Sequence, residues 1–376
     1  MDIDVKTNDL KKVVSCTSRV TSNKAIQPIL NNILLSCENG SLHISATDLD
    51  IAVECKLPAD ISKPGKITLP AKKLDEIVSK VAGDSIKFST DKNMLTNIVS
   101  SNSKFKINGV DSKDYPDIMT VEEKEKHISI NQKDFLNAVN LVSFSASKFD
   151  TTSVLSGINF VISGNKFELG ATDGSRLARY IGKLSSGSKG EKNSAVIPGR
   201  AMSELERLMS VFKEGNEDIS VYLKTGQIIF RNNDFLLSTR LIDSKFPAYD
   251  KLIPEEQKSK AIFLRSDLLA ALDRVSILAN ERTSVIKLEF KKGENTIKIT
   301  ADSPDYGNAT DEVEVDYKGD DLEIAFNYRY LTEALRALDV KEVMLELDKS
   351  LSPIILKLKE EVDFDYTYLV MPVQLR

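Results

Sequence analysis

Apolar positions along the chain switch repeatedly between two periods, and each switch predicts an element. At the start, Ile3 and Val5 alternate with Asp2 and Asp4, the period of a half-buried strand. From Leu10 the set Leu10, Val13, Val14, Thr17 takes helical spacing. Thr7 is predicted to cap that helix, and Asp9 in the first turn suits the helix dipole. The same change recurs at Ile128-Ser129-Ile130, followed by Phe135, Ala138, Val139 and Val142, and at Ile262-Phe263-Leu264, followed by Leu268, Ala271, Leu272 and Val275. Three alternating stretches come next, bounded by turns such as Glu38-Asn39-Gly40 and Ser163-Gly164-Asn165.

The pattern then restarts inside each copy. Ile67-Thr68-Leu69-Pro70 leads into Leu74, Ile77, Val78, Val81; Val196-Ile197-Pro198 leads into Met202, Leu205, Leu208, Met209; Ile324-Ala325-Phe326 leads into Leu331, Ala334, Leu335, Leu338. Pro70 and Pro198 fall at the helix start, where proline costs little. Three more strands close each copy; in the first they are expected near 85–90, 94–99 and 103–109. The chain therefore reads as six units of strand–helix–three strands.

Residues 29–54, 154–180 and 285–315 are near copies of one another. Ala46-Thr47-Asp48 recurs as Ala171-Thr172-Asp173 and, altered, as Ala301-Asp302-Ser303. The period exceeds the roughly 20–50 residues of solenoid repeats and matches a domain. The expected class is α+β, with three tandem copies of one domain at 1–121, 127–254 and 260–376. Tyr115-Pro116 and Phe246-Pro247-Ala248-Tyr249, with the charged stretches Glu122–Lys126 and Glu255–Lys260, mark the linkers. Three copies of one domain point to architecture over a single catalytic cleft.

Composition adds limits. The 376 residues are 41% hydrophobic and 28% charged, ordinary for a soluble protein, and no apolar run approaches the roughly 20 residues of a membrane span. Cys16, Cys37 and Cys55 are odd in number and flanked by apolar residues, so buried free thiols are expected. Met1–Val5 lacks the basic and apolar regions of a signal peptide, and a cytoplasmic protein is expected. The net charge of −5 argues weakly against nucleic acid, yet placement of the 51 Lys and Arg matters more than their sum.

That placement is regular. Lys72, Arg200 and Arg329 share one position at the start of each second helix; Arg207 and Arg336 lie seven residues on, with Lys80 one position off. Lys12 and Arg19 are also seven apart, about two helical turns, so each pair shares a face away from the apolar stripe. A single such face is ordinarily just solvated; recurrence favours contact with a phosphate backbone without base readout.

His43 and His127, the only histidines, lack metal-ligand spacing, and no P-loop, dinucleotide fingerprint or nucleophile elbow occurs. Asp48 and Asp50 could bridge a metal if they shared a strand face, which is the rival reading of a metal-dependent hydrolase using Asp48 and Asp173. The second copy has Asp173-Gly174-Ser175 there, and a turn capped by a side chain accounts for both. A peptide-binding scaffold without DNA is the third reading.

The tripled domain, the segment Ala171-Thr172-Asp173-Gly174-Ser175-Arg176-Leu177 and the ending Val370-Met371-Pro372-Val373 resemble the bacterial sliding clamp family, the beta subunit of DNA polymerase III, over essentially the whole chain. The resemblance implies a head-to-tail homodimeric ring, helices inside and sheets outside. Such a ring encircles duplex DNA without sequence specificity and tethers the replicative polymerase for processivity. It implies no catalytic residues, metal or cofactor, and a cytoplasmic, nucleoid-associated location. Phe105 and Ile107, on the edge strand Lys104–Ile107, would meet Ile277 and Leu278 of a second copy; an intradomain core position is the alternative for Phe105 and Ile107.

A partner-peptide pocket is implied at Leu155, Thr172, Gly174, Ser175, Arg176, Leu177, Pro247, Leu252, Tyr330, Ser352, Val370, Met371, Pro372 and Val373, unless these residues only cement two domains. Its ligands would be short linear motifs of the DNA polymerase III alpha subunit, the clamp loader, other polymerases and repair proteins. Ser175 stands where members often carry a larger residue, and Gln374 where a basic one is common. Lys24 aligns with a DNA-contacting position, and Lys148 and Arg282 follow by repeat equivalence. With Lys12, Arg19, Lys72, Arg200, Arg207, Arg329 and Arg336 they form the expected DNA face.

Overall fold

The computed structural model describes residues 1–21, 27–122, 124–148, 153–187, 190, 192–212 and 217–374. The first repeat opens with β1 (Asp2–Lys6), α1 (Thr7–Ser18), β2 (Asn32–Glu38), β3 (Ser41–Thr47), β4 (Ile51–Pro58), β5 (Asp60–Lys63) and β6 (Gly65–Pro70). It closes with α2 (Ala71–Lys80), β7 (Ser85–Thr90), β8 (Leu95–Ser100) and β9 (Ser103–Asn108). The second holds β10 (Ile128–Asn131), α3 (Gln132–Val142), β11 (Gly157–Ser163), β12 (Lys166–Thr172), β13 (Arg176–Lys183) and β14 (Asn193–Pro198). It continues with α4 (Gly199–Val211), β15 (Asp218–Lys224), β16 (Gln227–Arg231) and β17 (Phe235–Arg240). The third holds β18 (Ser259–Leu264), α5 (Arg265–Val275), β19 (Val285–Phe290), β20 (Thr296–Ser303), β21 (Gly307–Glu314), β22 (Asp316–Lys318) and β23 (Leu322–Asn327). It ends with α6 (Tyr328–Ala337), β24 (Glu342–Leu347), β25 (Ile354–Leu358) and β26 (Asp365–Val370).

The six strand–helix–three-strand units are all present. Two short strands were not expected, β5 and β22, which pair with β1 and β18; the second repeat reduces this feature to a bridge between Ser129 and Ser186. The predicted helix stripes are buried: Leu10, Val13, Val14 and Thr17 in α1 are at most 1% exposed, and Phe135, Ala138, Val139 and Val142 in α3 are fully enclosed. Only Ile77 is half-buried. Burying one such leucine or valine contributes about 1.5–3 kcal/mol, against about 0–1 for an exposed ion pair, so the stripes dominate stability.

Thr7 does not cap α1. Strand β1 runs into the helix without a break, Lys6 holds the cap position without a side-chain bond, and Thr7 is buried as the first helical residue. The free N–H at that point donates instead to a carbonyl next to the repeat's later strand: Thr7 to Asp84 (2.9 Å), Gln132 to Glu217 (3.0 Å) and Arg265 to Lys341 (2.9 Å). A backbone acceptor meets this donor in all three copies; in the second, the Asn131 side chain also caps the helix, accepting from Lys133 (3.1 Å) and Asp134 (3.3 Å).

Four sheets result, with strand orders β5-β1-β7-β8-β9, β10-β15-β16-β17-β4-β3-β2-β6, β14-β11-β12-β13-β26-β25-β24-β18-β22 and β21-β20-β19-β23. In the two long sheets the last strand of one repeat pairs antiparallel with an earlier repeat: β17 with β4, Leu237 opposite Val53, and β26 with β13, Tyr368 opposite Ala178. Each joint ends in one matching bond, from the Arg240 N–H to the Asp50 carbonyl (3.0 Å) and from Met371 to Ser175 (2.9 Å). In the two short sheets β9 and β21 are edges.

Two compact units contain these joints: Met1–Leu136 with Leu184–Lys189 and Arg200–Asp243, and Asn137–Lys183 with Gly190–Gly199 and Ser244–Arg376. Helices α1 and α2 pack together in the first, and α5 and α6 in the second. No helix among the described residues is long and apolar enough to cross a membrane.

Candidate functional site

The Thr-Asp segments form one kind of turn twice. Asp48 Oδ1 accepts the N–H groups of Asp50 (3.1 Å) and Ile51 (2.8 Å); Asp173 Oδ1 accepts those of Ser175 (2.9 Å) and Arg176 (3.1 Å). Thr47 Oγ1 donates to the Ile51 carbonyl (2.9 Å) and accepts from Leu49 (3.0 Å), as Thr172 Oγ1 does with Arg176 (2.6 Å) and Gly174 (3.1 Å). Asp48 and Asp50 thus lie in a turn and not on a shared strand face, which removes the geometry the hydrolase reading needs. Among the described residues no group of three or more His, Cys, Asp or Glu is arranged to hold a metal ion.

Around the second turn the structure gathers a compact network. Arg176 is 5% exposed. Its Nε donates to Asp173 Oδ2 (3.0 Å), Nη2 to the Phe144 carbonyl (2.6 Å) and Nη1 to Glu333. The guanidinium lies 4.6 Å from the Tyr330 ring centroid and 5.5 Å from that of Phe144. Burial works against its charge, but Tyr368 and Glu333 outweigh burial and raise its pKa. All three guanidinium nitrogens of Arg176 thus donate within the protein.

The β13–β26 ladder sets Arg176 opposite Val370 and Leu177 opposite Leu369, and the Met371 N–H reaches the Ser175 carbonyl. Tyr330 is tied in by the Tyr368 hydroxyl, which donates to its carbonyl (2.8 Å). Leu155 sits in the turn Val154–Ser156, and its carbonyl accepts from Ser147 (2.8 Å). Pro247 and Leu252 belong to the linker after the second repeat, held by Tyr249 against Gly170, two residues before Thr172. Ser352 closes a turn on Lys349 (2.9 Å) just before β25.

Thr172, Leu177 and Val370 are buried, whereas Leu252 (57%), Met371 (42%) and Val373 (39%) are exposed apolar groups. Gly174, Ser175 and Pro247 are exposed, and Leu155, Tyr330, Ser352 and Pro372 half-buried. Exposed apolar side chains above a buried floor are what an apolar ligand slot requires. Sequence reasoning missed Glu333, Phe144 and Tyr368, the partners of Arg176, and the exposed Leu351 (61%) beside Ser352. Only Glu333 left a signal, three residues after Tyr330 on one face of α6.

The candidate DNA-face residues Lys12, Arg19, Lys72, Lys148, Arg200, Arg207, Arg282, Arg329 and Arg336 are all exposed; Lys24 lies outside the described residues. Four carry carboxylate partners: Arg19 (3.8 Å) and Arg207 (3.5 Å) share Glu204, Arg200 pairs with Asp48, and Arg336 with Asp273 (2.8 Å). Arg19, Lys72 and Arg200 line one cavity of about 480 Å³ with Asp75, Glu76 and Glu204. Glu204 is nearly enclosed, and burial pushes its carboxyl pKa up. Of these pairs only Arg336–Asp273 is exposed on both sides, and such a pair is worth about 0–1 kcal/mol.

Phe105 and Ile107 are half-buried on the edge strand β9, neither enclosed core nor free surface. Ile277 is 78% exposed in the turn Ser276–Leu278, which packs beside the other edge, β21; Leu278 is half-buried. Tyr306, just before β21, is 71% exposed.

Comparison with known proteins covers all three repeats. The family models of the DNA polymerase III beta subunit match in order: the N-terminal domain over residues 1–119, the central domain over 129–248 and the C-terminal domain over 250–374. The beta sliding clamp of Synechococcus elongatus is 30% identical over 378 residues, covering 100% of both chains. That of Staphylococcus epidermidis is 30% identical, covering 100% of this chain and 99% of its own. Among solved structures, the DNA polymerase sliding clamp of Bacillus subtilis superposes with a TM-score of 0.89 at 27% identity over 100% of both chains. A sliding clamp of Pseudomonas aeruginosa bound to griselimycin gives 0.90 at 27%, again over 100% of both.

Proposed function

The chain belongs to the DNA polymerase III beta subunit family, and from that premise we propose that two copies join head to tail, β9 of each on β21 of the other, into a ring around duplex DNA. The protein is a DNA sliding clamp of replication with the three-domain clamp fold of its relatives. The division into domains at 1–121, 127–254 and 260–376 belongs to the same reading.

One observation carries the ring. The last strand of the second repeat is paired with the first repeat and that of the third with the second, while β9 and β21 are left as edges. The register transfers. Phe105 faces Ile98 as Leu237 faces Phe230 and Tyr368 faces Leu356. Ala309 faces Ala301 as Val53 faces Ala46 and Ala178 faces Ala171. Phe105 of one protomer then lies opposite Ala309 of its partner, Lys104 opposite Thr310, and the Asn108 N–H reaches the Tyr306 carbonyl. The exposed Ile277 and Tyr306 become covered. A heterologous contact repeated twice closes a ring and pairs the edges β9 and β21.

Inside the ring the basic helix faces, with Lys24, Lys148 and Arg282 in the loops, would touch phosphates weakly and exchangeably. Retention is then topological, and absence of base contacts permits sliding. We assign no catalytic role to the Asp48 or Asp173 turn. Partner proteins, the replicative polymerase and clamp loader first, would insert apolar residues of short linear motifs over Leu177 and Val370, between Leu252, Met371 and Val373. A DNA substrate implies work at the nucleoid, in the cytoplasm.

The test is retention after loading. The clamp should stay on nicked circular DNA at a salt concentration that strips it from linear DNA, and light scattering at micromolar concentration should give twice the mass of the chain. Equal loss from both DNAs, or a monomer, contradicts the ring.

A further inference from the structure

In the first two repeats the outward face of the half-sheet bearing the Thr-Asp turn carries a tyrosine from the segment that follows the repeat. Tyr115 is 6% exposed, and its hydroxyl donates to the carbonyls of Asn32 (3.2 Å) and Ser45 (3.4 Å). Tyr249 is 3% exposed; its hydroxyl donates to Glu168 and accepts from Asn159 Nδ2 (3.1 Å). Its ring fills the space a Cβ at Gly170 would need.

The ladders identify the same seat in the third repeat. Leu34 faces Ser45, Asn159 faces Gly170 and Lys287 faces Thr300, so Ser45, Gly170 and Thr300 occupy one position. Asn32 faces Pro70, Gly157 faces Pro198 and Val285 faces Asn327, which makes Val285 the counterpart of Asn32. At this place lies a cavity of about 650 Å³ lined by Val285, Lys287, Thr300 and Asp302, with Val373 on its rim. Two seats of one design are filled by a tyrosine; among the described residues no tyrosine fills the third, which Gln374 also lines.

We propose that this cavity is a docking site for an extended segment of a partner protein, anchored by a tyrosine whose ring lies on Thr300. A buried tyrosine covers about 150–250 Å² and brings a polar tip that needs a partner. Lys287 stands where Asn159 donates to the Tyr249 hydroxyl, and the exposed Lys298 stands where Glu168 accepts from it. Lys287 lines the cavity and is paired with Glu289 (2.8 Å) and Glu323 (3.4 Å), neither of which lines it. The polar end of the seat therefore favours acceptors: the hydroxyl oxygen of the tyrosine and an acidic residue beside it. The resident segments have that form, with Asp250 after Tyr249 and Asp114 before Tyr115. The site borders the slot around Leu177 and Val370 at Val373, and borders β21 at Asn308, Ala309 and Thr310.

The chain supplies its own probe. A fluorescein-labelled peptide of residues Ser244–Leu252, added to the full-length protein, should bind saturably. Replacing its tyrosine by alanine should weaken binding by about tenfold or more, the equivalent of one aromatic anchor. With benzoylphenylalanine in place of the tyrosine, photo-crosslinks should map to residues 283–310. Thr300→Trp, which fills the seat, should reduce affinity at least as much and leave retention on circular DNA unchanged; Val285→Arg serves if that variant fails to fold. The inference is overturned by crosslinks elsewhere, by binding indifferent to Thr300→Trp, or by no saturable binding, including the case in which a second copy of the chain covers the cavity.

Discussion

The turn after β3 and the turn after β12 have the same backbone pattern and opposite surroundings. In both, threonine and aspartate oxygens take up the local N–H groups. In the first, the second oxygen of Asp48 goes to Arg200, an exposed arginine on α4. In the second, that of Asp173 goes to Arg176, which is buried within the same turn and stacked on Tyr330. The first carboxylate holds an exposed cation, which the proposed DNA contact would exchange for a phosphate. The second holds a buried cation, beneath the proposed peptide slot. One local solution to the backbone thus serves two ends, decided by where the arginine comes from.

Removing the buried arginine should break the comparison most severely. Arg176→Ala leaves Asp173 and Glu333 without their partner, and a fully buried pair broken this way costs about 3–5 kcal/mol. Glu333 keeps 40% of its side chain exposed, so about 2–3 kcal/mol is expected, read by urea unfolding, together with loss of partner-peptide binding. The matching loss of Arg200, itself half exposed but paired with the largely buried Asp48, should cost less, about 1 kcal/mol.

Asp48→Ala should cost about 1 kcal/mol, as when a helix cap is lost, and Asp173→Ala about 2 kcal/mol, since it also leaves the buried Arg176 Nε without its acceptor. Their functional effects should diverge. Asp48→Ala frees Arg200 and should tighten DNA contact with a steeper salt dependence, whereas Asp173→Ala should weaken peptide binding alone. Equal effects on DNA would remove the distinction between the turns.

The smallest change concerns one backbone angle. Leu49 holds φ +79° where Gly174 holds +91°. A left-handed residue with a Cβ costs about 1–2 kcal/mol, and glycine's extra chain entropy returns part of that. Leu49→Gly should stabilise the protein by about 0.5 kcal/mol, and Gly174→Ala should destabilise it by about 1 kcal/mol, both read from thermal midpoints.

Local pattern made the helices legible, because each apolar stripe is set by a single helix and what it covers. The three strands expected near 85–90, 94–99 and 103–109 appear at Ser85–Thr90, Leu95–Ser100 and Ser103–Asn108. What escaped depends on contacts distant in sequence. The Asp84 carbonyl replaces the cap expected of Thr7, and strands Asp60–Lys63 and Asp316–Lys318 exist only because β1 and β18 offer an edge. Arg176 read as one more polar group, since arginine is seldom buried; its acceptors come from residues 144, 173 and 333. The open tyrosine seat was illegible for the same reason: only strand register shows that Ser45, Gly170 and Thr300 are one position.

The ring stands or falls on the pairing of β9 with β21. Phe105→Cys combined with Ala309→Cys, oxidised in the purified full-length protein, should give a disulfide between protomers. Cys16, Cys37 and Cys55 are buried and should not compete. The account predicts a covalently closed dimer that survives denaturation and that, when oxidised only after loading, remains on circular DNA. A pair shifted by two residues, Phe105→Cys with Asp311→Cys, should cross-link far less. Cross-linking confined to the shifted pair, or none at all in a protein that remains monomeric, would contradict the account.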